Sequence, residues 1–210
     1  MKTCYIFGAA EGIPQKLKID KSDLLIAADG GYKAVTNLGL TPDIILGDFD
    51  SLGFIPEFKG EIIKHPSVKD DTDTMLAIKT GIKRGFERFV LYGCSGNRLD
   101  HTLGNIQALS YIVNRSGFGF ICGDGYCITA IKNSKLCFKS KKSGIISVFC
   151  LGETAEGVNI NGLFYELNNA KIDNDFPLGI SNEFVGKPAE IWVQKGILTV
   201  VWDGDFTDLD

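Results

Sequence analysis

Pro42-Asp43-Ile44-Ile45-Leu46-Gly47-Asp48-Phe49-Asp50-Ser51 is the stretch that decides how this chain is read. The apolar run from Ile44 to Leu46 is long enough for a short buried strand and empties into Gly47. Two aspartates follow at i, i+2, so in extended backbone Asp48 and Asp50 share a face. Like charges placed that close call for a cation between them. Mg2+ suits such a place, because it takes one or two carboxylates and completes its shell with phosphate oxygens. A second acidic group, Lys69-Asp70-Asp71-Thr72-Asp73-Thr74, stands where a strand hands over to a helix. Either group alone is also explained by turn and cap chemistry. Two groups on successive strand ends point to a ligand site, since open α/β sheets bind ligands beyond the carboxyl ends of their strands.

Outward from this stretch the first half alternates strand and helix. Strands are expected at Cys4 to Phe7, Leu24 to Ala28, Ile62 to Lys64, Phe89 to Tyr92 and Phe118 to Cys122. Helices are expected at Tyr32 to Leu38, capped by Gly39, and from Thr72 to about Gly85, with Met75, Ile78, Ile82 and Phe86 inward. A third runs from about His101 to Asn114, with Leu103, Ile106 and Val113 inward. Phe54 to Phe58 reads as an irregular connection. This is an α/β domain with a mostly parallel, Rossmann-like sheet covered on both faces. Near Gly123-Asp124-Gly125 the helical period disappears. Short strands punctuated by turns follow to Trp202, which indicates an all-β sandwich. The expected domains are 1–125 and 126–210. Trp192 and Trp202 are expected in the core, and Lys139, Lys141 and Lys142 at a solvated hairpin tip.

Composition narrows the classes. The 210 residues carry 22 basic and 26 acidic side chains, a net charge of −4, with no basic stripe, which argues against nucleic acid. No segment has the length or apolarity of a membrane span or a signal peptide. The six cysteines form no CxxC pair and sit mostly in apolar runs, so reduced thiols and a cytoplasmic location are expected rather than zinc.

The loop Gly93-Cys94-Ser95-Gly96-Asn97-Arg98 leaves a strand and opens a helix at Leu99-Asp100-His101. Backbone N–H groups there can bind phosphate, and Arg98 adds a planar cationic fork. Neither a Walker loop nor a G-x-G-x-x-G fingerprint is present. Asp100 could cap the helix, ligate a metal or orient a hydroxyl, and His101 could donate to phosphate. Asp29-Gly30-Gly31 ends another strand and permits close approach of a ligand. Carboxylates, an arginine and glycine-rich backbone on one sheet edge are the parts of metal-assisted phosphoryl transfer.

These residues resemble the thiamine pyrophosphokinase family. Ala27-Ala28-Asp29-Gly30-Gly31 through Ser51 is similar to its first signature, and Lys69-Asp70-Asp71-Thr72-Asp73 to its K-D-x-T-D segment. Gly96 through Asn105 is similar to its G-G-R-x-D-H-x-x-x-N segment. Gly162 to Leu167 and Gly179 to Phe184 resemble its thiamine-side motifs. The resemblance implies transfer of diphosphate from ATP to the hydroxyl of thiamine, giving thiamine diphosphate and AMP. It implies an N-terminal ATP and Mg2+ domain, a C-terminal thiamine-binding sandwich, and a homodimer with active sites between subunits. Asp48, Asp50, Asp70, Asp73 and Asp100 fall on the acidic, metal-binding positions. Asp29, Gly30, Gly96, Arg98 and His101 fall on the ATP side. Ser181, Asn182 and Tyr165 fall on the thiamine side. Asp73 or Asp100 is the expected proton acceptor, and Arg98 the group that takes developing charge. The chain departs from the family at Asn97 (usually Gly), at Asp71, a variable position, and at Phe164, where Lys is common. A metal-dependent nucleotide phosphohydrolase and a nucleotide or thiamine sensor are the competing readings.

Overall fold

The computed structural model describes residues 2–48, 58–66, 70–96 and 98–210. Asp50, Asn97 and most of the expected connection at Phe54 to Phe58 lie outside the described residues. The chain divides into two compact units, Met1–Ala108 with Ile121–Asp124, and Leu109–Phe120 with Gly125–Asp210.

The first unit contains β1 (Thr3–Phe7), β2 (Leu24–Ala28), α1 (Gly31–Asn37), β3 (Ile44–Gly47), β4 (Glu61–Lys64), α2 (Asp73–Lys83) and β5 (Arg88–Tyr92). Helix α3 (Leu99–Val113) and strand β6 (Phe118–Cys122) belong partly to each unit. In the first unit the strand order is β5-β1-β2-β3-β4, and every one of these pairings is parallel. The central strands are apolar throughout because both faces are covered: all five residues of β1 and of β2 are buried.

Register shows which helix covers which face. Cys4 and Phe89 are partners on one face, and a Cβ at Gly81 of α2 would come within 2.6 Å of the Phe89 ring and 2.9 Å of the Cys4 sulfur. The other face carries Phe7, Ala27 and Ile45, and Tyr32 of α1 packs against Ile45. Thus α1 and α2 lie on opposite faces of the sheet. In α2 the buried residues are Ala77, Ile78 and Gly81. Met75, Ile82 and Phe86 are only half-buried. Small residues carry this contact because the helix axis sits close to the sheet. Strand β4 is the edge, largely exposed, and its Glu61 pairs with Arg84.

One expected face is corrected. Leu103 of α3 is 55% exposed, while Asn105, Ala108, Leu109 and Ile112 are buried. Those four fall at i, i+3, i+4 and i+7, the spacing of a single helix face. The apolar residues of α3 form two stripes, and packing selected the stripe that contains an asparagine.

The second unit contains β7 (Tyr126–Lys132), β8 (Lys135–Phe138), β9 (Ile145–Cys150), β10 (Thr154–Asn161), β11 (Leu167–Asp173), β12 (Gly179–Glu183), β13 (Ala189–Trp192) and β14 (Ile197–Asp203). They form two antiparallel sheets, ordered β12-β9-β14-β7 and β11-β10-β13-β8. Phe138 of β8 meets Trp202 of β14 edge-on, ring centroids 5.3 Å apart, and meets Phe184 at 5.3 Å. Trp202 and Phe138 are fully buried, each contributing on the order of 2–3 kcal/mol through apolar burial. Trp192 departs from expectation: it is 43% exposed on the outer face of β13.

Strand β11, Leu-Asn-Asn-Ala-Lys-Ile-Asp, has no apolar run, whereas the more apolar Leu163 to Tyr165 just before it contributes a bridge from Leu163 to Phe184. Lys141 is also no free hairpin tip. Its Nζ donates to the Asp203 carbonyl at 2.5 Å and to Asp208 Oδ2 at 3.0 Å, fastening the 3-10 turn Phe206–Asp208.

Candidate active site

Strand order reverses at β1. The chain proceeds from β1 through β2 and β3 to β4 on one side, then returns to place β5 on the other. The onward connections from β1 and β5 therefore run in opposite directions across the sheet, and such a switch point leaves a crevice at the carboxyl ends. A cavity of about 480 Å³ lies there. Its walls are Gly8 to Glu11 after β1, Ala28 and Asp29 at the end of β2, and Gly93 to Gly96 after β5. Thr72 to Thr74 at the start of α2, and Arg98, His101, Thr102 and Asn105 of α3 and its approach, close it.

The β1 and β5 loops run against each other. Gly8 N–H donates to the Tyr92 carbonyl at 2.8 Å, and Ala10 N–H to the Gly93 carbonyl at 2.9 Å. A Cβ on Gly8 would lie 2.4 Å from the Gly93 oxygen, so the approach requires glycine. Asp29 adopts a left-handed backbone, φ 47°, and its N–H donates to the Leu46 carbonyl at 2.7 Å. Its Oδ1 is buried and has no hydrogen-bond partner among the described residues. An orphaned carboxylate oxygen in the wall of a polar cavity is a costly arrangement unless a cation or donor meets it.

At α2 the N-cap is Thr72, whose side chain accepts from Met75 N–H at 3.2 Å. Asp73 is thereby left in the first turn, facing the cavity rather than serving as the cap. Asp71 is held by Lys79 Nζ at 2.7 and 2.6 Å, a structural ion pair. Arg98 and Asp100 form a bidentate pair, Nε to Oδ1 at 2.9 Å and Nη2 to Oδ2 at 2.6 Å, both well exposed. The hydrogen bonds from Arg98 hold the Asp100 carboxyl well below the usual carboxylate range, and the same bonds raise the Arg98 guanidinium. Burial pushes the Cys94 thiol up to about 12, so this cysteine is wall rather than nucleophile.

Asp29, Asp73, Gly96, Arg98 and His101 thus line one cavity. Gly30 caps α1 and lies against Ala9 without lining it. Asp48 directly follows β3 and is half-buried, and Asp70 is exposed. Neither these two nor Asp100 is among the lining residues. Among the described residues no group of three His, Cys, Asp or Glu side chains is arranged to hold a metal ion. The donor chemistry still suits Mg2+: the hard carboxylates of Asp29 and Asp73 share the cavity wall, and Asp29 Oδ1 has no hydrogen-bond partner among the described residues. The Gly96 N–H, an expected phosphate donor, is given to Thr102 Oγ1 at 3.2 Å.

Sequence reading assigned no role to Thr102, to Asn105, noted only as the end of the Gly96 through Asn105 motif, or to the Gly8 to Glu11 loop. The loop was open to detection, because β1 is the strand at which the order reverses. The two α3 residues were not, because polar positions on a helix carry no mark of where they point.

The residues expected on the thiamine side lie in the second unit. Asn182 is buried, and its amide is engaged within the chain: Oδ1 accepts from Tyr165 N–H and Glu183 N–H at 2.9 Å, and Nδ2 donates to the Tyr165 carbonyl at 2.7 Å. It fixes a turn that displays Phe164 and Tyr165, each 62% exposed and packed edge-to-face at 4.8 Å. Ser181 is exposed in a left-handed backbone, φ 57°, and its N–H donates to Ser147 Oγ at 3.0 Å.

The family model described as thiamin pyrophosphokinase, catalytic domain, matches residues 15–118. That described as thiamin pyrophosphokinase, vitamin B1 binding domain, matches residues 134–198. A thiamine pyrophosphokinase of Bacillus subtilis (strain 168) is 27% identical over 192 residues, 89% of this chain and 90% of that one. The crystal structure of thiamine pyrophosphokinase from Bacillus subtilis superposes with a TM-score of 0.85 at 26% identity, covering 98% of this chain and all (100%) of that one. That of thiamin pyrophosphokinase from Geobacillus thermodenitrificans shares the fold, with a TM-score of 0.82 at 23% identity over 99% of this chain and 100% of its own. Matched in both halves by models of one family, and over nearly its whole length by relatives of the same kind, the chain belongs to the thiamine pyrophosphokinase family.

Proposed function

We propose that the cavity at the β1/β5 switch point holds the phosphates of ATP while this transferase moves the diphosphate group to thiamine. The family reaction consumes ATP and thiamine and yields thiamine diphosphate and AMP. The thiamine hydroxyl oxygen bonds to the β-phosphorus, the bond between that phosphorus and the oxygen bridging to the α-phosphorus breaks, and AMP leaves with the bridging oxygen. The observation that carries this reading is the polar cavity, lined by Asp29, Asp73, Arg98 and His101, inside the segment matched by the catalytic-domain model.

Arg98 and His101 are assigned to the phosphate oxygens, with Asp29 and the neighbouring Gly30 and Gly96 backbone shaping the wall. Asp48, Asp50, Asp70, Asp73 and Asp100 are assigned to Mg2+, which when bound offsets phosphate charge. Asp73 is assigned as acceptor of the thiamine hydroxyl proton because it lines the cavity. Asp100, held below the usual carboxylate range by Arg98, is a poor proton acceptor. Its pairing fixes the plane of the guanidinium, which suits Arg98 to meet the charge that builds up during transfer. Ser181, Asn182 and Tyr165 are assigned to thiamine, with Tyr165 offering an aromatic face to the cationic ring and Asn182 holding that turn in place.

In this reading residues 1–125 form a Rossmann-like ATP and Mg2+ domain, and 126–210 a thiamine-binding sandwich. A second copy completes the site in a homodimer. ATP use and thiols held in no disulfide among the described residues suit the cytoplasm. Incubating the protein with ATP, Mg2+ and thiamine, and separating the products, tests the reading. AMP and thiamine diphosphate formed in equal amounts, only with thiamine present, are expected. ADP with thiamine monophosphate would overturn the site of attack. Nucleotide hydrolysed without thiamine would indicate a hydrolase, and bound thiamine without turnover a sensor.

A further inference from the structure

Two side chains of α3 grip the loop that leaves β5. Asn105, buried in the cavity wall, donates from Nδ2 to the Cys94 carbonyl at 2.7 Å, across eleven residues of chain. One turn earlier, on the same face, the Thr102 hydroxyl joins the two arms of the loop: Oγ1 accepts from Gly96 N–H at 3.2 Å and donates to the Arg98 carbonyl at 3.2 Å. Gly93 and Gly96 both have positive φ, 62° and 151°, so the loop gains little definition from its own backbone preferences. Side chains of α3 hold it at Cys94, Gly96 and Arg98.

We infer that Thr102 and Asn105 are positioning residues for the nucleotide's phosphates. They act through the loop rather than by touching the reacting atoms, and the inference rests on the cavity being the ATP site. Thr102 settles that Gly96 N–H serves the loop's shape instead of the ligand. It also anchors the main chain of Arg98, whose guanidinium must reach phosphate from a fixed root. Asn105 holds the Cys94 carbonyl, so that the neighbouring N–H groups keep one orientation.

The test is Thr102→Val, which keeps the shape and removes both hydrogen bonds, set beside Thr102→Ser, which keeps the hydroxyl. Steady-state kinetics are measured with ATP and thiamine varied separately, and ATP affinity and Tm are followed in parallel. Thr102→Val is expected to raise Kd and KM for ATP about tenfold, the effect of one or two hydrogen bonds, with KM for thiamine unchanged. Thr102→Ser is expected to restore ATP binding to within about twofold of the unaltered protein. An unchanged ATP Kd in Thr102→Val, or equal rises in both KM values with a fallen Tm, would overturn the inference. Arg98→Ala separates the two levels of the argument. If it weakens ATP binding while Thr102→Val does not, only the positioning role falls. If neither variant alters ATP binding, the cavity is not the nucleotide site and the inference falls with it.

Discussion

Gly8→Ala puts the switch-point geometry under direct load. The added methyl would stand 2.4 Å from the Gly93 carbonyl oxygen and 3.1 Å from the Cys94 sulfur. The first of these is a backbone atom, so no side-chain rotation relieves it. Reaching even the 3.0 Å floor for such contacts requires the β1 and β5 loops to part by about 0.6 Å, the difference between those two distances. The bonds Gly8 N–H to Tyr92 O, 2.8 Å, and Ala10 N–H to Gly93 O, 2.9 Å, cross that seam and must stretch. Overpacking of this kind costs about 1–3 kcal/mol, which for a chain of this size lowers Tm by about 2–12 °C. The same movement displaces the Gly93 to Gly96 wall, and a misplacement approaching 1 Å lowers turnover by about 10- to 100-fold. Thermal unfolding and kcat/KM for ATP are the assays. Gly104→Ala is the matched control: its Cβ meets nothing within 4 Å, and α3 gains about 0.5–1 kcal/mol from the exchange. A Gly8→Ala protein with unaltered Tm and unaltered kcat/KM would refute the close approach of the two loops.

Three further outcomes follow from other contacts. Asn182→Ala removes two hydrogen bonds to the Tyr165 backbone and one from Glu183 N–H, so it should lower stability by about 2–3 kcal/mol in urea unfolding and raise KM for thiamine more than KM for ATP. Burial of Asp208 works to raise its carboxyl, but hydrogen bonds from Lys141, the Asp205 N–H and Trp202 prevail and set it below the usual carboxylate range. Its stabilisation is therefore full above about pH 4 and is lost as pH falls through the lower folded value, so the stability difference between the unaltered protein and Asp208→Asn, about 1–2 kcal/mol at pH 7, should vanish in acid. Cys94, pushed up to about 12 by burial, should resist iodoacetamide at pH 8 while the half-buried Cys150 is alkylated, as peptide mapping would show; early labelling of Cys94 would contradict a closed wall.

Much of the first unit was legible because its signals are local. Leu24 to Ala28 is a run that only a doubly covered strand tolerates, and the structure gives that strand the same limits. The turn chemistry at Gly39 and Gly85 was equally readable, since a positive φ is a property of the residue itself. The acidic groups were recognisable as types of chemistry. Their sorting was not: Asp71 pairs with Lys79, Asp100 with Arg98, and Asp29 and Asp73 line the cavity. Each outcome depends on residues that folding brings near, and charge alone does not distinguish them.

By itself the sequence determined the alternation of strand and helix, the change to an all-β second half, and the supply of carboxylates, arginine and glycine at strand ends. These follow from periodicity, backbone permissiveness and side-chain chemistry within a few residues. Only the tertiary structure decided that α3 buries the stripe with Asn105 rather than Leu103, and that the polar segment Leu167–Asp173 becomes a strand by pairing with β10. It alone turned Thr102 and Asn105 toward the β5 loop and left one oxygen of Asp29 without a partner among the described residues. The physical reason is the same in each case: which of two possible faces is buried, and which polar group meets which, is set by free energy summed over contacts between distant segments.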